Sequence, residues 1–156
     1  MGQKQFPPIF VIGFLGSHRV ETARSLAEKL DYEFINIDKK IEKEDGRTIL
    51  RICMSMGEHE YRNKEFEALQ KLINQEKIVV ACGDGIIFDE MNVDILKNNQ
   101  VIVADKNLTV EELWQQAMEQ DESPYAFMQL STLSEQKEKF YDLYQTRISL
   151  YNQFID

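Results

Sequence analysis

A glycine-containing turn separates an apolar run from a helical pattern near the start of the chain. Residues 9–12 are continuously apolar and predict a buried strand, and residues 20–30 have the spacing of an amphipathic helix. Glycines allow backbone N–H groups to converge on an anion, and a helix N-terminus adds positive potential. The sequence therefore predicts a phosphate-binding loop, with five candidate nucleotide-binding residues: Gly13, Gly16, Ser17, His18 and Arg19.

The second half of this loop departs from the usual phosphate-loop pattern, Gly-x-x-x-x-Gly-Lys-Ser/Thr. His18, Arg19 and Val20 stand where that pattern has glycine, lysine and a hydroxyl residue. We expect the His18 side chain to crowd the space between backbone and phosphate, and Val20 offers no oxygen to Mg²⁺. Arg19 keeps the positive charge, but its planar fork is not equivalent to lysine. Glu21 is a further candidate to fill the anion site, because the helix dipole stabilises a carboxylate there.

Two more polar features follow predicted strands. Asp38 closes the apolar stretch 32–38, and Gly83-Asp84-Gly85 follows the apolar stretch 78–82. In open parallel sheets, ligands bind beyond the carboxyl ends of the strands. These features and the glycine loop are therefore expected to meet at one site.

The order of elements predicts the fold class. Apolar strands, with a fourth at 101–104, alternate with helices expected over 20–30, 48–56, 58–74, 91–97, 109–118 and 134–154. Continuously apolar strands are typical of a parallel sheet covered on both faces. The prediction is an α/β protein of three α/β/α layers around a parallel sheet of about five strands. A chain of 156 residues favours a single domain over 1–156.

Composition excludes several classes of partner. A formal net charge of −9 argues against nucleic acid. No apolar run reaches the roughly 20 residues of a membrane span, and the N-terminus lacks a secretory signal pattern. Cys53 and Cys82 lack metal-site spacing and are expected to be free thiols. We therefore expect a cytoplasmic protein with a small-molecule partner; the oligomeric state stays open.

The motifs, in this order and spacing, resemble the shikimate kinase family over nearly the whole chain. The residues that carry the resemblance are 12–17, 34–38 with Ile41-Glu42, Gly57-Glu58 with Tyr61-Arg62 and Glu65, Gly83-Asp84-Gly85, and Arg147 with Tyr151. The resemblance implies a P-loop kinase fold. It also implies transfer of the γ-phosphoryl group of ATP, with Mg²⁺, to a hydroxyl group of shikimate.

The resemblance also implies roles for single residues. Asp38 would hydrogen-bond the substrate hydroxyls and orient the attacking oxygen. Arg62 and Arg147 would bind the substrate carboxylate, because guanidinium forks suit bidentate pairing. The backbone of residues 83–85 would close against the ring, and Arg19 would take the place of the catalytic loop lysine. An ordinary salt bridge is the alternative role for either substrate-binding arginine.

Further departures bear on the nucleotide and the substrate. Asn36 stands where the family has an acidic residue near the metal, so no metal-binding residue is assigned. A lid is expected at about 120–133, yet residues 107–136 contain no Lys or Arg, and Ser123-Pro124 stands where an Arg-Pro pair is expected. Asp84 replaces the middle glycine of a triple-glycine turn. Its charge would weaken shikimate binding or, alternatively, support Mg²⁺ or the hydroxyl groups of another ligand.

Three functional hypotheses follow from this pattern. The first is a working shikimate kinase with an unorthodox loop. The departures at the phosphate, metal and lid positions indicate that its chemistry with ATP and Mg²⁺ would be impaired. The second is a non-catalytic, ligand-binding or regulatory pseudokinase of the same fold. The third is a structural or partner-binding domain that binds no hydroxy acid.

Overall fold

Four parallel strands form the central sheet of the computed structural model, which describes residues 5–120 and 132–155. They are β1 (Ile9–Ile12), β2 (Glu33–Asn36), β3 (Ile78–Ala81) and β4 (Gln100–Val103), in the spatial order β2-β3-β1-β4. In the register of the sheet, Phe10 of β1 lies opposite Val80 of β3 and Val101 of β4. The α/β class is confirmed, with four strands in the described residues where about five were predicted.

Seven α-helices surround this sheet in the same residues. They are α1 (Arg19–Leu30), α2 (Ile37–Asp45), α3 (Ile49–Met56), α4 (Glu58–Leu72), α5 (Glu90–Lys97), α6 (Val110–Glu119) and α7 (Leu133–Asn152). Six of them were predicted, with ends that agree to within two residues. The N-cap of α6 is Thr109, which forms a reciprocal capping box with Glu112.

Helix α2 was not predicted, because the apolar pattern continues through Ile37 and suggested a strand as far as Asp38. The strand ends at Asn36, whose side chain accepts a hydrogen bond from the backbone N–H of Lys39 at 3.2 Å. This bond satisfies a donor in the first turn of α2 and so starts the helix. Asp38 therefore lies in the first turn of a helix, where the helix dipole favours a carboxylate.

Both faces of the sheet are covered. On one face, Ala23 and Ala27 of α1 pack in a small cluster with Val11 of β1. On the other face, Phe10 of β1 belongs to a larger core that includes Phe140 of α7 and residues of α3, α4, α5 and α6. Burial on both sides explains why the strands are continuously apolar.

Two composition-based expectations can be compared with the structure. Cys53 and Cys82 are free thiols, as predicted. In the described ranges, no helix is both long enough and apolar enough to span a bilayer.

Candidate functional site

The loop after β1 folds tightly upon itself. The backbone N–H and the hydroxyl of Ser17 both donate to the Phe14 carbonyl oxygen, at 3.0 and 2.7 Å. A Cβ on Gly13 would lie 2.4 Å from the Ser17 Oγ, and a Cβ on Gly16 would lie 2.0 Å from the carbonyl oxygen of Leu113. Gly16 also has a φ of +87°. The glycines thus permit a tight turn as predicted, but their close neighbours here are the protein's own atoms.

His18 points to the rim of the loop. Its backbone N–H donates to Asp105 Oδ2 at 2.8 Å, and its Nδ1 lies 3.0 Å from the same oxygen. The Gln116 side-chain amide also donates to that oxygen, at 3.2 Å. With 47% of its side chain exposed, His18 does not crowd the loop interior, so that prediction was wrong.

The carboxylate beside the start of α1 belongs to Asp105. A helix N-terminus attracts an anion through its unpaired N–H groups and its dipole, and Asp105 meets that requirement from within the chain. Glu21 is exposed and lies with Thr22 and Ser25 along an open groove on α1. The expectation that Glu21 fills the anion site was therefore wrong.

Arg19 is directed back toward the sheet. Its Nε donates to the Cys82 carbonyl at 2.8 Å, and its Nη1 donates to the Phe14 carbonyl at 3.1 Å. The guanidinium is close enough to Asp38 to oppose the rise in that carboxyl's pKa. Arg19 thus bridges the loop, the end of β3 and the neighbourhood of Asp38.

These contacts test whether the loop fits a magnesium-bound triphosphate. The N–H groups of Ser17 and His18 are engaged by protein oxygens, and Arg19 is engaged by carbonyls. Val20 has no side-chain oxygen, and the Asn36 side chain caps α2. In the part of the chain that the structure describes, no group of three or more His, Cys, Asp or Glu residues could hold a metal ion. The loop donors of Ser17, His18 and Arg19 are therefore already engaged within the protein, and the next residue, Val20, offers Mg²⁺ no side-chain oxygen.

Asp38 lies at the centre of a hydrogen-bonded carboxylate cluster. The Tyr61 hydroxyl donates to Asp38 Oδ1 at 2.6 Å and lies 3.4 Å from Glu65 Oε2. A Cβ on Gly83 would lie 2.7 Å from the Tyr61 hydroxyl and 2.9 Å from Glu65 Oε2. The absence of a side chain at Gly83 is what allows β3 to approach this cluster.

Burial governs the protonation of this cluster. Desolvation raises the pKa of Asp38, although the Tyr61 hydrogen bond and the charge of Arg19 oppose the rise. Desolvation also raises the pKa of Glu65 to about 7, against the opposing charge of Arg62. The pKa of Tyr61 lies well above its ordinary value because of burial and the two nearby carboxylates. Tyr61 therefore remains a hydroxyl donor to Asp38 at neutral pH.

Arg62 connects this cluster to the rim of α4. Its Nη1 pairs with Glu65 Oε1 at 3.1 Å, and its Nη2 pairs with Glu58 Oε1 at 2.8 Å. A Cβ on Gly85 would lie 2.2 Å from Arg62 Nη2, so glycine at that position leaves room for the guanidinium. Arg62 thus forms salt bridges in the structure, which is the alternative role that the sequence analysis considered for it.

Arg147 is fully enclosed and paired with Asp84. Its Nη1 lies 2.7 Å from Asp84 Oδ2, and the two side chains are 1% and 0% exposed. The guanidinium carbon stands 3.9 Å from the centroid of the Phe88 ring, a cation–π arrangement. The Tyr151 hydroxyl lies within hydrogen-bond distance of the Asp84 and Gly13 carbonyls and so ties α7 to both loops.

The structure brings the predicted substrate-half residues together around the carboxyl end of β3. Sequence reasoning missed Asp105 and Phe88 as members of the site. Asp105 follows β4 directly, so the rule applied to the other strands could have identified it. Nothing in the local sequence indicates that Phe88 would lie beneath Arg147. The lid predicted at 120–133 falls almost entirely on residues outside the described ranges.

A glycine loop between β1 and α1, with a polar cluster at the neighbouring strand ends, is typical of P-loop kinases. The family model described as "Shikimate kinase" matches residues 16–156. This chain therefore belongs to the shikimate kinase family.

Individual relatives agree with this membership. The shikimate kinase of Persephonella marina is 30% identical over 144 residues, which cover 90% of this chain and 87% of that protein. The bifunctional shikimate kinase/3-dehydroquinate synthase of Thermotoga maritima is 30% identical over 146 residues, which cover 94% of this chain but 28% of the relative.

Solved structures show the same architecture. The shikimate kinase of Acinetobacter baumannii, solved in complex with shikimate, superimposes with a TM-score of 0.84 at 28% identity. The match covers 96% of this chain and 80% of that one. The shikimate kinase of Bacteroides thetaiotaomicron gives a TM-score of 0.83 at 20% identity, covers 94% of this chain and 82% of that one, and supports the fold alone.

Proposed function

We propose that this chain is a shikimate kinase family protein in which phosphoryl transfer from ATP with Mg²⁺ is impaired. The acceptor side of the site, formed by Asp38, Arg62, residues 83–85 and Arg147, still binds a small hydroxylated molecule. The observation that carries this proposal is that hydrogen-bond donors of the glycine loop are already bonded within the protein. The N–H groups of Ser17 and His18 and the guanidinium of Arg19 already bond to protein oxygens. A triphosphate would have to displace these contacts before it could bind.

The lid composition points in the same direction. An arginine that stabilises transferring charge contributes about 10³–10⁵-fold to the rate of phosphoryl transfer in enzymes that use one. Residues 107–136 contain no arginine or lysine to play that part. Low turnover is therefore expected even if nucleotide reaches the loop.

The acceptor side supports a retained ligand site. Asp38 lies near Arg62 and Asp84, and its raised pKa makes the ionised carboxylate a better proton acceptor than an ordinary aspartate. Such a carboxylate suits a ligand hydroxyl. The convergence of Asp38, Arg62 and Arg147 also favours a second candidate function, a slow but genuine shikimate kinase.

A coupled assay with ATP, Mg²⁺ and shikimate distinguishes the two candidates. We expect the wild-type rate to match that of the Asp38→Ala variant, and calorimetry to detect no ATP binding at millimolar concentration. Turnover clearly above that of Asp38→Ala would establish the kinase instead. Micromolar ATP affinity would contradict the proposed loss of the nucleotide site.

The remaining hypothesis, a domain with no small ligand, is tested by thermal unfolding with shikimate, its methyl ester and quinate. We expect at least one of these compounds to raise the melting temperature of the wild-type protein. Arg62→Ala, which alters the site rim, should abolish that rise. No stabilisation by any of the three would support the ligand-free hypothesis.

A further inference from the structure

The charges of the acceptor side are nearly balanced within the protein. Three guanidinium groups lie there, and each is already engaged: Arg147 by Asp84, Arg62 by Glu58 and Glu65, and Arg19 by backbone carbonyls. The enclosed carboxyl groups are Asp38, Glu65 and Asp84. Among the residues that the structure describes, no surplus of positive charge is available to a ligand that brings its own carboxylate.

The Asp84–Arg147 pair is also closed to solvent. Both side chains are essentially inaccessible, and the Phe88 ring covers the guanidinium. A ligand carboxylate could reach Arg147 only by displacing the Asp84 carboxylate. Two carboxylates beside one buried guanidinium would repel each other strongly in a low-dielectric site.

One oxygen of this pair nevertheless lacks a partner. Asp84 Oδ1 is buried and has no hydrogen-bond partner among the described residues, whereas Oδ2 binds Arg147. A buried acceptor without a donor is costly, and a hydroxyl group of a ligand would satisfy it. A ligand hydroxyl could donate to this oxygen, whereas a ligand carboxylate would have to compete with Asp84 for Arg147.

We propose that the Asp84 carboxylate occupies, from within the chain, the place of a ligand carboxylate on Arg147, and that the site consequently selects a neutral, hydroxyl-bearing ligand over the corresponding acid. This inference rests on the proposed function, which retains a ligand site on the acceptor side. In this inference, Asp84 determines whether the site prefers a neutral or a negatively charged ligand.

Shikimate and its methyl ester form a suitable probe pair, because they share the ring hydroxyls and differ in charge. Calorimetry without nucleotide should show that the wild-type protein binds the ester about tenfold or more tightly than the acid. Asp84→Gly removes the internal carboxylate and exposes Arg147 to the ligand. This variant should reverse the preference to about tenfold or more in favour of shikimate.

Two further variants make the result decisive. Asp84→Asn keeps the side-chain size and removes the charge, so it should also shift the preference toward shikimate. This variant decides the question if Asp84→Gly does not fold. Asp94→Asn changes the net charge equally at an exposed position of α5 and should retain the wild-type preference.

Several outcomes would overturn the proposal. They are a wild-type preference for the acid, an unchanged preference in both Asp84 variants, or no binding of either compound to the wild-type protein. Failure of the proposed function is seen separately, as phosphorylation of shikimate in the coupled assay. No binding of either compound would also remove the ligand half of the proposed function, whereas the other two outcomes overturn only the charge preference and leave the proposed function standing.

Discussion

At the scale of single residues, the Asp84 carboxylate determines what the neighbouring Arg147 guanidinium binds. A buried guanidinium 2.7 Å from a buried carboxylate is stable as a pair. Either partner alone would be an uncompensated charge in a nonpolar environment. The resemblance to the family explains why an arginine stands at position 147, whereas the structure explains how the arginine is neutralised.

Truncation of this pair gives the first prediction. Arg147→Ala should reduce the free energy of unfolding by about 3–5 kcal/mol, because it leaves Asp84 charged and buried. Urea denaturation measures this loss. Arg51→Ala, at an exposed position of α3, is the matched control and should change stability by less than about 0.5 kcal/mol.

Removal of both charges tests this prediction further. The double variant Arg147→Ala with Asp84→Asn should be more stable than Arg147→Ala alone, because no unpaired charge remains. Equal instability of the two proteins would mean that loss of packing, rather than loss of charge pairing, explains the effect.

Glu65 gives a prediction on pH dependence. Its pKa is about 7 in the folded protein against an ordinary 4.5, so between these values the folded state binds a proton that the unfolded state has released. Stability is therefore greatest below about pH 4.5 with respect to this group, and it falls as the pH rises through about 7. The difference corresponds to on the order of 3 kcal/mol.

Glu65→Gln mimics the protonated form and should remove most of this decline. Urea unfolding of both proteins from about pH 5 to 8 measures it. Asp38 shifts in the same direction, so a smaller decline should persist in the variant. Parallel profiles for the two proteins would exclude Glu65 as the titrating group.

At the scale of elements, the start of α2 decides where Asp38 is placed. The Asn36 side chain ends β2 and caps the helix in one step. Asn36→Ala should cost about 1 kcal/mol of stability, whereas Asn36→Asp should cost only a few tenths, because aspartate is an equally good cap. Thermal unfolding compares the two variants, and equal stability of Asn36→Ala and wild type would exclude a capping role.

The packing of the glycine loop against α6 gives a second element-scale prediction. Gly16 and Gly46 both have φ near +90°, but a Cβ meets the Leu113 carbonyl oxygen at 2.0 Å in the first case and open space in the second. Gly46→Ala should cost about 1–2 kcal/mol for the left-handed backbone alone. Gly16→Ala should cost clearly more, since the backbone of α6 must move. Similar melting temperatures for the two variants would contradict this contact.

At the scale of the whole molecule, the two halves of the site differ in how they have diverged. By the resemblance described above, the acceptor half matches the family pattern in its charged residues and differs at Asp84, whereas the nucleotide half differs from it at His18, Arg19 and Val20 within one loop. The triple variant His18→Gly, Arg19→Lys, Val20→Thr should gain Mg²⁺-dependent ATP binding measurable by calorimetry. Its turnover should remain low, because residues 107–136 still supply no arginine.

A matched control for this variant keeps the loop and restores only the acidic residue that the resemblance places near the metal. Asn36→Asp alone should not gain ATP binding, since it leaves the loop contacts intact. If the triple variant also fails to bind ATP, the three loop residues are not the cause of the proposed impairment.

The sequence alone determined the α/β class, six of the seven described helices, and the convergence of the loop, Asp38 and residues 83–85 at one edge of the sheet. These follow from local rules, because hydrophobic periodicity and glycine or capping residues act over a few neighbours. The same local rules misplaced Asp38 on a strand, because Ile37 suits a strand as well as a helix.

Only the tertiary structure decided the direction of each charged side chain. His18 and Asp105 are 87 residues apart in sequence, and Arg147 and Asp84 are 63 apart. Which oxygen a guanidinium or an N–H group finds depends on three-dimensional packing and on the cost of leaving a buried charge unpaired. For this reason the sequence predicted which residues would lie near one another and allowed a salt bridge for each arginine, but not which carboxylate each arginine would bind.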